Sequence, residues 1–389
     1  MTMTAAITGV GMSDIGRKTG RPAMAHLAEA AKRALECAGL RKDDIDGIST
    51  YPGKADSSPG VSPLGTGEVR SALGLKTRWH SAIPDGPSQM APLMVAAMAV
   101  ATGQARHVLC FRALTESGSQ NTTRRAGIVA SDRARLGGWF SYLVPANAMS
   151  ASNWAGWMAT RYFHEFGMTR EHLGMVATGQ RAFAQHNPSA VMQSPLTMED
   201  YLGARMISSP LGLFDCDVPI DGACVIIVSA TDAAKDCASA PLEIEAMGAA
   251  LGSQETWDQR ADLTTMGAHD SAADMWKRTD LKPADVDVLA LYDGFSIFVP
   301  YWLEAFGFCG HGEAKDFIAG GNIGPGGRFP VNTGGGQLSG GRLHGFGLLH
   351  EACIQLWGQG GERQVEGAKT AVCGMGGGFI AGSMLLRRD

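Results

Sequence analysis

Charge is scarce in this sequence. Only 18% of its 389 residues are charged, and 33 Lys and Arg against 38 Asp and Glu leave a net charge of −5 with no long run of one sign. Such a chain offers nucleic acid or an anionic membrane little to hold, so neither is the expected partner. No apolar run approaches the roughly 20 residues of a membrane span, so no membrane span is expected. Met1-Thr2-Met3-Thr4 leads straight into a strand-like stretch without the pattern of a secretory leader. The eight cysteines are scattered, with no CxxC pair and no Cys/His grouping at zinc spacing. They read as reduced thiols of a cytoplasmic protein that holds no metal of its own. One gap is local: no cysteine lies between Cys37 and Cys110.

What the chain has in quantity is glycine, 52 residues of it, and the densest run lies near the C-terminal end. Val331-Asn332-Thr333-Gly334-Gly335-Gly336-Gln337-Leu338-Ser339-Gly340-Gly341-Arg342-Leu343-His344-Gly345-Phe346-Gly347 leads into a helical pattern over 348–357. Glycine at this density lets backbone approach a ligand or a facing strand, at an entropic cost an ordinary surface loop has little reason to bear. The helix start that follows aims free N–H groups back at the loop. Two readings fit: a turn in a crowded core, and a cradle for a ligand.

The length suffices for two domains or one double-lobed unit. A strand at 5–10, a helix from about 21 to 39 and a strand at 47–51 form a βαβ pattern. An apolar helix over 90–102 and a strand at 107–111 follow. From about 114 to 206 the pattern loosens, with one clear helix at 152–166, as expected of a lid or binding surface. A strand at 223–228 returns to the core. The scheme then recurs, with a strand at 242–244 and a helix at 272–279. Leu281-Lys282-Pro283-Ala284-Asp285-Val286-Asp287 enters a strand at 288–292, echoing Leu40-Arg41-Lys42-Asp43-Asp44-Ile45-Asp46 before 47–51. The helix at 348–357 and the strand at 370–373 match 90–102 and 107–111. The chain reads as α/β in two duplicated halves, 1–235 (with the insertion at about 114–206) and 236–389, each a mixed sheet covered by helices.

Several phrases stand in an order and spacing that point to one family. They are Gly9-Val10-Gly11-Met12, Arg205-Met206-Ile207-Ser208-Ser209-Pro210-Leu211, Asp215-Cys216-Asp217 with Asp221-Gly222-Ala223, Leu291-Tyr292-Asp293-Gly294-Phe295, Asn332-Thr333-Gly334-Gly335-Gly336, and Gly361-Glu362-Arg363-Gln364-Val365. Together they resemble the thiolase superfamily, of the sterol-carrier or lipid-transfer type. The resemblance implies a five-layered αβαβα fold, a homodimer and acyl-CoA substrates. A thiolase needs a cysteine at the N-terminus of its first buried helix, where dipole and backbone N–H groups favour the thiolate. That place falls at Asp85-Gly86, inside the cysteine-free interval. The histidine that thiolases carry in the glycine stretch is replaced by Arg342, with His344 two places on. Tyr292 stands where a second motif has histidine or asparagine. These departures resemble the cysteine-less, thiolase-like aldolases of steroid side-chain breakdown. That likeness implies retro-aldol cleavage of a β-hydroxyacyl-CoA and a small OB-fold/zinc-ribbon partner. Coenzyme A then enters as part of the substrate, with no cofactor bound permanently. The alternatives are an acetyl-CoA acyltransferase and a non-catalytic acyl-CoA or sterol lipid-transfer subunit.

Tyr292 ends a strand before Asp-Gly, and is read as a proton carrier or as a half-buried strand tyrosine. With a reference pKa of about 10, a tyrosine base needs help from a cation. Arg342 supplies one, or binds the thioester oxygen as enolate charge develops. His344 is read as a base near neutral pH or as a core histidine bonded to backbone. Asp85 occupies the nucleophile's place or is an N-cap. Gly86, Gly335, Gly336, Gly376 and Gly377, with Cys373, are expected to shape the substrate and oxyanion surface.

Overall fold

Apolar runs rich in Val, Ile and Leu place nine strands in one mixed sheet. The computed structural model describes residues 5–55, 60–83, 86–119, 138, 140–252 and 256–389. In chain order the strands are β1 (Ala5–Met12), β2 (Gly47–Thr50), β3 (Trp79–Ala82), β4 (His107–Thr115), β5 (Asp221–Ala230), β6 (Leu242–Leu251), β7 (Val288–Leu291), β8 (Thr370–Gly377) and β9 (Ile380–Arg387). Side by side they run β3-β2-β4-β5-β1-β6-β9-β8-β7. β1 pairs antiparallel with β5, β5 antiparallel with β4, and β4 parallel with β2. β6, β9, β8 and β7 repeat that series with the same directions. The two sets join through Ala6 opposite Glu243 and Ile7 opposite Leu242.

The helices that position the site are α1 (Ala23–Ala38), α2 (Ala91–Ala101), α3 (Ala151–Phe166), α4 (Arg170–Gln185), α5 (Gly267–Trp276), α6 (Phe298–Phe306) and α7 (Phe346–Leu356). α1 covers β1, β4 and β5, while α5 covers β6, β8 and β9. Between the two sets of strands, each a layer of its own, lies α7, touching β1 and β5 of one set and β7 and β8 of the other. α2 packs on β1, β2, β4 and β5 of the first set. The order is helix, sheet, helix, sheet, helix, the αβαβα layering expected from the sequence. α2 is apolar on every side, as an element between layers must be; only Met98 and Ala101 on it are exposed.

Two expectations change. Of the expected excursion at about 114–206, residues 120–137 and 139 lie outside the described residues; beyond them α3 and α4 place Trp154, Tyr162, Leu173, Val176 and Ala177 in the core. The period of α4 is hidden in the sequence because Gly174, Gln180 and Arg181 interrupt its buried apolar stripe. β6 runs to Leu251 instead of ending near 244, since its small-residue second half takes strand form by pairing with β9. Among the described residues no helix is long and apolar enough to cross a membrane.

Candidate active site

The glycine stretch is fastened to the end of β7 by one side chain. Asn332 accepts from Leu291 N–H and donates to Leu291 C=O, each at 2.8 Å. The chain then folds over Asp293, whose carboxylate accepts from Gln337 N–H at 3.1 and 2.9 Å. Gly335 and Gly336 have φ of +96° and +60°, the left-handed region that glycine enters freely. A Cβ on Gly336 would lie 2.0 Å from Asp293 Oδ2, and one on Gly335 2.6 Å from Ala184 Cβ. These two glycines, expected to bind substrate, are packed on their Cβ side against Asp293, Gln180 and Ala184. The occupant of this cradle is the protein's own carboxylate. Burial pushes Asp293 up to about 7, against the backbone N–H groups of Gln337 and Leu338 that favour its charge.

Next to it, Tyr292 is buried, stacked on Phe298 with ring centroids 6.3 Å apart and 6.4 Å from the His344 ring. Burial, with the charge of Asp217, pushes its phenol well above the ordinary tyrosine value in spite of Arg342. His344 has φ +53°, a strained conformation for a residue with a Cβ. Arg112 of β4, 1% exposed, donates from Nη2 to His344 Nδ1 at 2.9 Å. Its Nη1 donates to Tyr51 C=O at 2.8 Å and to Ser62 Oγ at 3.2 Å. The Gln89 side-chain amide bridges His344 Nε2, 3.3 Å from its nitrogen, and Ser88 Oγ. Burial, then the charges of Arg112 and Arg342, hold His344 well below the usual histidine range. It is a neutral imidazole.

Arg342 reaches the group from the glycine stretch, its N–H bound to Val218 C=O at 2.9 Å. Its guanidinium pairs with Glu116 and, at 3.3 Å, with Asp217. Burial opposes the charge, yet the two carboxylates outweigh it and hold Arg342 above its ordinary value. Asp85 lies outside the described residues. At Gly86 the chain turns tightly, Ser88 N–H donating to Gly86 C=O at 2.6 Å, and Ser88 itself has φ +58°. The turn Ser88–Met90 runs into α2. Gly376 lets β8 meet it, since a Cβ there would lie 2.7 Å from Ser88 Oγ; one on Gly377 would press on the Phe298 ring at 3.0 Å. Cys373 departs from its expected place: it is fully buried in β8 beside Cys353 of α7, and burial pushes its thiol up to about 12. It fills the core and does not join the polar group.

The sequence reading missed Gln89, Arg112 and Glu116, and took Asp217 as structural. Arg112 left a readable signal, a lone charge inside the apolar run His107-Val108-Leu109-Cys110-Phe111-Arg112-Ala113-Leu114. Glu116 and Asp217 left none, for their partner is more than a hundred positions away. A second polar cluster went unseen. His269, Glu304 and His311 bring potential ligand atoms within 4.8 Å of one another. His269 Nδ1, however, accepts from Met266 N–H at 3.2 Å, so Nε2 carries the ring proton and offers no lone pair to a metal.

The site's geometry and the layered fold define a thiolase-fold protein without a thiol in its polar group. Residues 249–386 match the family model described as thiolase C-terminal domain-like. A steroid side-chain-cleaving aldolase of Thermomonospora curvata is 36% identical over 90% of this chain and 89% of its own length. A 17-hydroxy-3-oxo-4-pregnene-20-carboxyl-CoA lyase of Mycobacterium tuberculosis is 34% identical over 91% of this chain and 92% of its own. Among solved structures, the Ltp2-ChsH2(DUF35) aldolase superposes with a TM-score of 0.88 at 31% identity, covering 100% of this chain and 98% of that one. Human mitochondrial 3-ketoacyl-CoA thiolase, with a TM-score of 0.72 at 15% identity over 100% and 99%, shares the fold. The chain belongs to the thiolase superfamily, in its group of steroid side-chain-cleaving aldolases.

Proposed function

We propose that the protein is a carbon–carbon lyase that cleaves a β-hydroxyacyl-CoA carrying a bulky, steroid-type side chain, giving a shorter acyl-CoA and a ketone or aldehyde. The observation that carries this is Tyr292: a buried phenol, held protonated, facing a neutral histidine in a polar group without a thiol. As the Cα–Cβ bond breaks, its electron pair passes into the thioester enolate. Tyr292 gives its proton to Cα and takes up the one leaving the β-hydroxyl, so the phenol is neutral before and after. A buried site favours that exchange because no lone charge is left behind. His344 Nε2–H and the field of Arg342 stabilise the enolate oxygen. Coenzyme A enters only as part of the substrate.

The active unit is proposed as a homodimer together with a small OB-fold/zinc-ribbon partner; the Ltp2-ChsH2(DUF35) aldolase that this chain resembles supports the presence of a partner protein. The purified protein with that partner is expected to release the carbonyl product from a β-hydroxyacyl-CoA. Tyr292→Phe should lower kcat at least about 100-fold while leaving substrate binding near wild type. Undiminished turnover in that variant removes the role given to Tyr292. A covalent acyl-enzyme seen by intact mass spectrometry points to an acyltransferase instead.

A further inference from the structure

We infer that Arg112 is a positioning residue for this reaction, fixing His344 as a permanent N–H donor and denying it the role of a base. The inference rests on the lyase reading above for its kinetic consequence, but not for its structural one.

A neutral imidazole carries one proton on two nitrogens, and the partner of one nitrogen decides which. His344 Nδ1 faces Arg112 Nη2 at 2.9 Å. A guanidinium has donors only and does not deprotonate near neutral pH, so Nδ1 is the acceptor. The ring proton therefore sits on Nε2. As placed, the Gln89 amide turns its nitrogen to Nε2 at 3.3 Å and its oxygen to Ser88 Oγ; with the proton on Nε2 the amide turns over, exchanging the two atoms, and its oxygen holds that proton until a substrate oxygen takes its place. A second proton at Nδ1 would meet Arg112 head-on.

The arrangement is built rather than incidental. Arg112 lies within a buried strand, and its other nitrogen is tied to Tyr51 C=O and Ser62 Oγ. An arginine is costly to bury, and nothing in the apolar run of β4 needs one. Among the described residues, the charged and titratable groups around His344 are Arg112 from β4, Arg342 from its own loop and Tyr292 from the end of β7. Glu116 and Asp217 face Arg342. The two cations oppose protonation of the ring. Held with φ +53°, His344 aims one fixed donor into the site. A thiolase histidine has to accept a proton, and this one is wired against doing so.

The test is nitrogen NMR on protein labelled with 15N-histidine, His344 being assigned by the resonance lost in His344→Ala. Wild type is expected to show Nδ1 unprotonated and Nε2 protonated, unchanged between pH 5.5 and 8.5. Arg112→Met should release Nδ1, so that His344 titrates within that range. Arg112→Lys, which keeps a donor at the same place, should restore part of the wild-type signature. In turnover, Arg112→Met should lower kcat at least about 10-fold with KM little changed and add an acidic limb to the pH–rate profile. Titration of His344 in the wild type, or Arg112→Met with the wild-type tautomer, overturns the inference. Neither result depends on the reaction catalysed. A normal tautomer response in a protein without lyase activity would instead refute the proposed reaction alone. Should Arg112→Met fail to fold, the Arg112→Lys spectrum and the wild-type titration decide the matter.

Discussion

Asp293 shows how much one residue beneath the site sets the terms for those around it. Its carboxyl is fully buried with two backbone donors, and burial moves it up to about 7. A raised folded-state pKa means that the native protein binds this proton more tightly than the unfolded chain between about pH 4 and 7. The contribution of this group to stability is therefore fully present below the unfolded value and is lost as pH rises through 7. Asp293→Asn keeps an acceptor for Gln337 N–H and removes the titration. The expected outcome is a difference in Tm between wild type and variant that falls from pH 4.5 to pH 8, read by thermal denaturation across buffers. A constant difference would mean that the carboxyl ionises in the native state as it does unfolded.

Among the elements, α4 deserves the weight that the sequence withheld from it. It lies behind the glycine stretch: Arg181 donates to Ser339 Oγ at 2.8 Å, Gln180 meets Gly336, and Ala184 meets Gly335. The stretch keeps its form because a helix face with small residues receives it. Ala184→Leu should wedge loop and helix apart, costing about 1–3 kcal/mol of stability as overpacking does. It should also lower kcat more than it changes KM, because Arg342 and His344 are carried on the displaced segment. Thermal melts and steady-state kinetics on the one variant read both. The sequence displayed the glycines plainly, and it displayed Asp293 at Tyr292-Asp293-Gly294. It did not display that one is packed around the other, because Asp293 and Gly336 become neighbours only when β7 and the loop are pinned by Asn332.

At the scale of the molecule, the site exists where two similar halves meet. Tyr292, Arg342 and His344 come from the second half, while Gln89, Arg112, Glu116 and Asp217 come from the first. The pairing of Arg342 with Glu116 and Asp217 joins the halves across the site. Arg342→Ala leaves two carboxylates partly buried without their cation, a change that costs about 3–5 kcal/mol for a buried pair. Chemical denaturation should show that loss. Adding Glu116→Gln and Asp217→Asn should recover part of it, since the two partly buried negative charges, no longer offset by Arg342, carry more of the cost than the missing contact.

The amino-acid sequence by itself determined the layered α/β fold, the duplication, the absence of a thiol near Gly86 and the candidacy of Tyr292, Arg342 and His344. The α/β alternation and the duplication are properties of period and local order, while the layering and the candidate residues follow from the resemblance of the motifs to the thiolase superfamily. Only the tertiary structure decided what each of these residues is. It packed the glycine stretch around Asp293, set Cys373 in the core, and brought an arginine 232 positions away onto His344 Nδ1. The protonation of a buried group depends on its neighbours and its distance from water, and neither is written in the order of the chain.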